Sequence, residues 1–163
     1  MGFKAGQHVF HSRCGVCLLK AIEPLPSDPT GPTYYVLSPL YGDDKGNIVR
    51  VPTATATTLS ETLTEKQAKE IIKNWPDVRQ DLYIKDSKLR KTTYENTLKT
   101  GNVVALAPLL EGAFQRKARD GHLNSLDAQF VAKAVPLVYG ALAQSLGIEF
   151  GDVPEYIVEH RSY

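Results

Sequence analysis

The chain is predicted to be an α+β protein: a small N-terminal β-barrel over residues 1–59, then a compact α-helical bundle over 60–163. Three observations lead there. Apolar and polar residues alternate up to about residue 59, the period of half-buried strands. Beyond it, apolar residues recur at the spacing of amphipathic helices. Capping residues stand before the apolar stripes of that second part, with Thr64-Glu65-Lys66-Gln67 a complete capping box.

The strands are read in order. His8-Val9-Phe10-His11, Gly15-Val16-Cys17-Leu18-Leu19, Thr33-Tyr34-Tyr35-Val36-Leu37 and Ile48-Val49-Arg50-Val51 carry the β-branched and aromatic residues that favour a pleated surface, and Thr57-Thr58-Leu59 adds a short fifth. Pro24, Pro26, Asp28, Pro29, Gly31 and Pro32 mark one long loop, and the 42–47 stretch, Gly-Asp-Asp-Lys-Gly-Asn, marks a hairpin tip. Short strands so closely spaced suggest a strongly bent barrel of the SH3 or Tudor type.

The helices follow. Behind the capping box, Ala68, Ile71 and Ile72 share a face, and Trp75-Pro76 ends the element because a residue before proline avoids the α region. A second helix is expected from about Asp86 to Lys99, stopped by Gly101. Asn102 caps a third, with Val103, Leu106, Leu110 and Phe114 at helical spacing. Asn124 and Asp127 open a fourth, whose stripe is Leu126, Phe130, Ala134, Leu137, Val138 and Leu142. Asp152, Pro154 and Glu155 open a short last helix. Pro108 and Pro136 fall inside helical patterns, where each removes a backbone bond, so a kink or a short break is expected at both.

Composition narrows the function classes. With 19 basic and 18 acidic residues the formal charge is +1, which excludes a histone-like polycation and a strongly acidic chain. The 42% of hydrophobic residues excludes a disordered chain. No uninterrupted apolar run is long enough to span a bilayer, and the opening residues have neither a signal-peptide centre nor a myristoylation pattern, since Gly6 stands where Ser or Thr is needed. A cytoplasmic protein without membrane partners is expected.

The charge is uneven. Residues 1–78 balance, residues 79–120 carry nine basic against five acidic, and residues 121–163 carry two basic against five acidic. The central cationic stretch, with Tyr83 and Tyr94 interleaved, can lie against phosphates or form a solvated helix face. A few lysine and arginine contacts give only weak, salt-sensitive affinity, so DNA binding by this face requires a second anchor.

Asp43-Asp44 on its glycine-flanked turn reads as hairpin solvation and not as a metal pair, while Cys14 and Cys17, with His8 and His11 nearby, are candidates for metal or redox chemistry. Their spacing is too tight for the usual structural zinc sites, and Gly-Val-Cys-Leu-Leu reads as a strand, not as the helix N-terminus of a redox dithiol. Small, partly buried strand residues are the expectation, with no metal and no cofactor. No nucleophile-elbow, phosphate-loop or dinucleotide motif is present, and none of His8, His11, His122 and His160 stands in a catalytic spacing, so neither an enzyme nor a small-molecule substrate is expected.

Taken in order, several segments resemble one family across nearly the whole chain. They are F-K-A-G-Q-H-V-F-H-S-R-C-G-V-C-L-L-K-A-I-E near the start, Y-Y-V-L-S-P-L-Y at 34–41, I-V-R-V-P at 48–52 and W-P-D at 75–77. Y-I-K-D-S-K-L-R-K at 83–91, L-K-T-G-N at 98–102, Q-R-K-A-R at 115–119 and L-G-I at 146–148 follow. The family is the CarD/CdnL group of bacterial RNA polymerase-binding transcription regulators, in its Firmicutes form. The resemblance implies a Tudor-like N-terminal module that binds the RNA polymerase β subunit. It also implies a helical domain that contacts promoter DNA at the upstream edge of the melted bubble and shifts open-complex stability. Arg50 falls at the family's polymerase-contacting arginine. Arg90 falls at a basic position used for DNA, with Lys85, Lys88 and Lys91 beside it. Tyr83 stands in the context where many members carry a wedge tryptophan, while an ungapped count back from Gly101 places Ser87 there. The alternative from a different class is a Tudor/SH3-like protein-interaction adaptor that never meets DNA.

Overall fold

The computed structural model describes residues 2–77 and 86–162. Its first part is a five-stranded antiparallel sheet, β1 (His8–His11), β2 (Gly15–Pro24), β3 (Thr33–Pro39), β4 (Val49–Pro52) and β5 (Leu59–Glu61), in the order β4-β3-β2-β1-β5. A single 3-10 turn, Thr53–Thr55, lies between β4 and β5. The expected closed barrel does not form: β4 and β5 are the two edges of an open sheet. β5 is its shortest strand, at three residues, and the inner face is roofed in another way. Phe3 of the N-terminal arm and Ala56 of the β4–β5 linker pack on a cluster of Val9, Cys17, Leu19, Tyr35, Leu37, Val51 and Leu59. The Phe3 ring meets Tyr35 edge-on, centroids 5.9 Å apart. A bulge between Leu19 and Ala21 bends β2, so that Leu19 opposes Leu37 while Ala21 opposes Val36.

Among the described residues five α-helices follow: α1 (Glu65–Lys73), α2 (Ser87–Thr100), α3 (Val103–Asp120), α4 (Ser125–Leu146) and α5 (Val153–His160). The capping signals work as read. Thr64 and Gln67 form the reciprocal box, Asp86 accepts from the Lys88 and Leu89 amides, and Asn102 and Asn124 cap α3 and α4. Gly101, Gly121 and Gly147 end α2, α3 and α4 in the left-handed conformation.

Neither proline breaks its helix. The carbonyls that lose an N–H partner belong to Val104 and Ala132, both on the exposed side of their helices and open to solvent.

α4 is the central element. By length and composition it is one helix apolar enough to cross a bilayer, and more than half of its apolar window is buried inside the protein. β2 lies across it, and α1, α2, α3 and α5 pack around it. The two parts share one core: Phe10 and Val16 of the sheet cluster with Ile72, Trp75, Leu106, Leu110, Leu137 and Leu142 of the helical part. The sequence boundary at residue 59 therefore cuts both β5 and this core.

Candidate functional site

Arg50 lies on β4, opposite Val36 of β3. The pleat turns Val49 and Val51 to the inner cluster and leaves Arg50 exposed, as the alternation predicts. Because β4 is an edge, its outer backbone donors and acceptors are not used by the sheet.

The basic residues of the central stretch divide into two groups. Lys88 and Lys91 are exposed in the first turns of α2. One turn apart, they share a face, with the 57%-exposed Leu89 beside them. Tyr83 and Lys85 lie outside the described residues. Arg90 departs from its expected role. It is only 8% exposed, and its Nε lies 3.2 Å from the Asp127 carboxylate. Tyr94, read as an aromatic interleaved among surface cations, is 3% exposed and stacks on Phe130 with centroids 3.8 Å apart. The reason is local. Arg90 and Tyr94 are four residues apart on the face of α2 turned to α3 and α4, where a carboxylate awaits both.

That carboxylate is the centre of a buried polar knot. Asp127, fully buried in the first turn of α4, accepts from Tyr94 Oη at 2.7 Å and from Arg116 at 2.6 Å (Nε) and 3.0 Å (Nη2). It also accepts from Asn124 Nδ2 at 2.9 Å, and Arg116 Nη2 donates to Tyr94 Oη at 2.7 Å. Burial works to raise the Asp127 pKa, but the bonds from Arg116 and Tyr94 and the charges of Arg116 and Arg90 outweigh it, and the carboxyl is held below its ordinary value. The knot ties α2, α3 and α4 at one point. Sequence reading missed it, taking Asp127 only as a helix opener. The signal was its position: Asp127 stands on the same stripe as Phe130 and Ala134, where an acidic residue needs buried partners.

Of the seven basic residues described in 86–120, Arg90 and Arg116 thus belong to the interior. Arg119 is exposed and bonds its neighbour Asp120 at 2.9 Å. The cationic surface that remains on α2 is Lys88, Lys91 and Lys99.

At the β1–β2 turn, His11 is 6% exposed and its Nδ1 accepts from the Arg13 and Cys14 amides at 3.1 and 3.2 Å. Burial lowers its pKa, and it acts as a brace for the turn. Cys14 and Cys17 are free and buried, and burial pushes the Cys17 thiol up to about 12, away from the thiolate that redox or metal chemistry uses. Among the described residues, no three His, Cys, Asp or Glu side chains gather as a metal-binding group.

Trp75 is buried in the shared core, and its indole N–H donates to Glu111 of α3 at 2.8 Å. Between the β1–β2 turn, residues 41–44, α2 and α4 lies a cleft of about 570 Å³ with an apolar floor that includes Leu98, Pro136 and Leu137. Its rim carries both charge signs, with Arg13, Lys99 and Lys133 against Asp43, Asp44 and Glu95. A scan against protein-family models finds no match for this chain, and a search of curated proteins finds none either.

Proposed function

We propose that this protein is a non-enzymatic, cytoplasmic transcription regulator of the CarD/CdnL kind. In this reading the sheet binds the RNA polymerase β subunit, and α2 leans on promoter DNA at the upstream edge of the bubble. The observation that carries it is the β4 edge: a strand with unused outer backbone groups and an outward arginine suits strand addition by a partner sheet, with Arg50 setting specificity. The strand order and the 3-10 turn between β4 and β5 also support a Tudor/SH3-like reading of the sheet, despite its open edges. Lys88 and Lys91 on the exposed face of α2 supply a weak phosphate contact, which the polymerase anchor makes effective. A ligand that favours the open complex over the closed one by about 1.4 kcal/mol shifts their ratio tenfold.

The interior positions of Arg90 and Arg116 favour a second reading, a protein-interaction adaptor without DNA contact, because they thin the cationic face. One set of variants separates the two. Arg50→Glu is expected to abolish capture of the β subunit. Lys88→Ala with Lys91→Ala is expected to keep that capture while shortening or lengthening open-complex lifetime and flattening its salt dependence. Lifetimes unchanged by the lysine pair support the adaptor, and undiminished capture by Arg50→Glu removes β4 from the interface.

A further inference from the structure

The cleft between the β1–β2 turn, residues 41–44, α2 and α4 has no part in the reading above, since neither Arg50 nor Lys88 nor Lys91 lines it. Its volume of about 570 Å³ falls in the range of small-molecule sites. At a share of about 30 Å³ per water it has room for about twenty, and so for a ligand the size of a dipeptide. It lies on the seam where the sheet meets the helices, and seams between parts of a fold are common places for such sites. Its walls are preformed. A Cβ at Gly42 would lie 2.9 Å from the Pro136 Cβ, so residues 41–44 sit directly on α4. The Tyr41 ring stacks on Phe150, and His11 Nδ1 accepts from the Arg13 and Cys14 amides. A site held in this way loses little ordering entropy when it is filled.

The lining offers three kinds of contact. Leu98 and Leu137 give an apolar floor. Pro136 carries no N–H, so the Ala132 carbonyl, four residues earlier in α4, lacks its helical donor, and both residues line the cleft. The wall therefore holds a backbone acceptor open to a donor from outside the helix. The third kind is charge. The rim carries three cations, Arg13, Lys99 and Lys133, and three anions, Asp43, Asp44 and Glu95. Arg13 and Asp44 approach each other at 4.0 Å. Among the described residues no ion pair ties Lys99, Lys133, Asp43 or Glu95.

We propose that this cleft binds a small zwitterion with an apolar body, of which a short free peptide is the simplest form. The ammonium group donates to the Ala132 carbonyl in the field of Asp43 and Glu95. The apolar side chains cover Leu98 and Leu137, and the carboxylate meets Lys99 and Lys133. The balanced rim favours a ligand with both charges over a plain anion or cation, because either of those leaves one set of rim charges opposed to it. The inference goes beyond the polymerase and DNA reading and does not rest on it.

Titration of the whole chain with the dipeptide leucyl-phenylalanine, followed by amide NMR shifts, tests the site. Saturable shifts are expected in residues 12–14, 41–44, 95–99 and 132–137. No saturation up to the solubility of the dipeptide, or shifts centred elsewhere, overturns the proposal. Two relatives of the probe read the charges. The des-amino analogue and the C-terminal amide are each expected to bind several-fold more weakly. Equal binding by all three is the behaviour of an internal segment of a partner protein and rules out the zwitterion. Two variants read the contacts. Lys99→Gln with Lys133→Gln, both on the surface, is expected to weaken the dipeptide about tenfold and its amide little. Unchanged dipeptide affinity in that pair removes the carboxylate contact. Pro136→Ala, which returns an N–H to the Ala132 carbonyl, is expected to weaken the dipeptide several-fold and the des-amino analogue little. Equal weakening of both by Pro136→Ala shows a change in the floor alone and overturns the role of the carbonyl.

Discussion

Asp127 is the residue with most at stake. A carboxylate with no solvent exposure is tolerable only because Arg116, Tyr94, Asn124 and Arg90 surround it. Taking the partners of a buried charge away typically costs about 3–5 kcal/mol. Asp127→Asn is expected to destabilise the protein by that order at neutral pH, as measured by urea unfolding. The pH dependence follows from the direction of the shift. The folded pKa lies below the ordinary aspartate value, so the carboxylate's contribution is fully present above about pH 4 and is lost as the pH falls through the folded value. The stability gap between wild type and Asp127→Asn should therefore narrow on acidification below about pH 4. A gap that stays constant with pH would mean that Asp127 is not the ionised centre of the knot.

At the scale of elements, helix ends decide how the parts meet. Gly101 and Gly121 both close helices in the left-handed conformation, at φ 62° and 83°. They differ in surroundings. Gly101 is pressed on the Ser12 backbone, whereas a Cβ at Gly121 would meet nothing within 4 Å. Gly121→Ala is expected to cost only the left-handed strain, about 1–2 kcal/mol. Gly101→Ala should cost that and more, because either Ser12 or α2 must shift. Equal losses for the two variants in denaturant titrations would show that the β1–β2 turn does not press on α2. Gly140 plays a related part within α4, where a Cβ would meet the Tyr41 ring at 2.7 Å. Its absence lets Tyr41 lie flat on the helix and stack on Phe150, with centroids 5.2 Å apart.

At the scale of the molecule, the sheet and the helices are not separable. Phe10 and Val16 point away from the inner cluster of the sheet and into the helical core, where both are buried. A fragment ending at residue 61 would leave them in water and lose α4 as a floor. It is expected to show no cooperative thermal transition and poor amide dispersion. A cooperative transition in that fragment would overturn the shared core. Polymerase capture is for this reason best tried with the whole chain and point variants.

Much of the fold was legible in the sequence. The alternation through 8–11, 15–19 and 33–37, the capping box at Thr64, the start near Asp86, the caps at Asn102 and Asn124 and the stop at Gly101 all mark elements that form, within a few residues of where they were read. Such signals are local: period, caps and turn residues act within one element, whatever it later packs against. The outward Arg50 belongs with them, since the pleat alone turns it from the inner face. Only the tertiary structure could decide that Arg90 and Tyr94 turn inward, that the sheet stays open, and that Phe10 and Val16 join the helical core. Those outcomes depend on partners tens of residues away: Asp127 for Arg90, Ala56 and Phe3 for the inner face of the sheet, and α4 for Phe10 and Val16. A cation on a helix reads the same from its neighbours whether water or a buried carboxylate faces it, and the difference lies in which distant element the folded chain brings to its side.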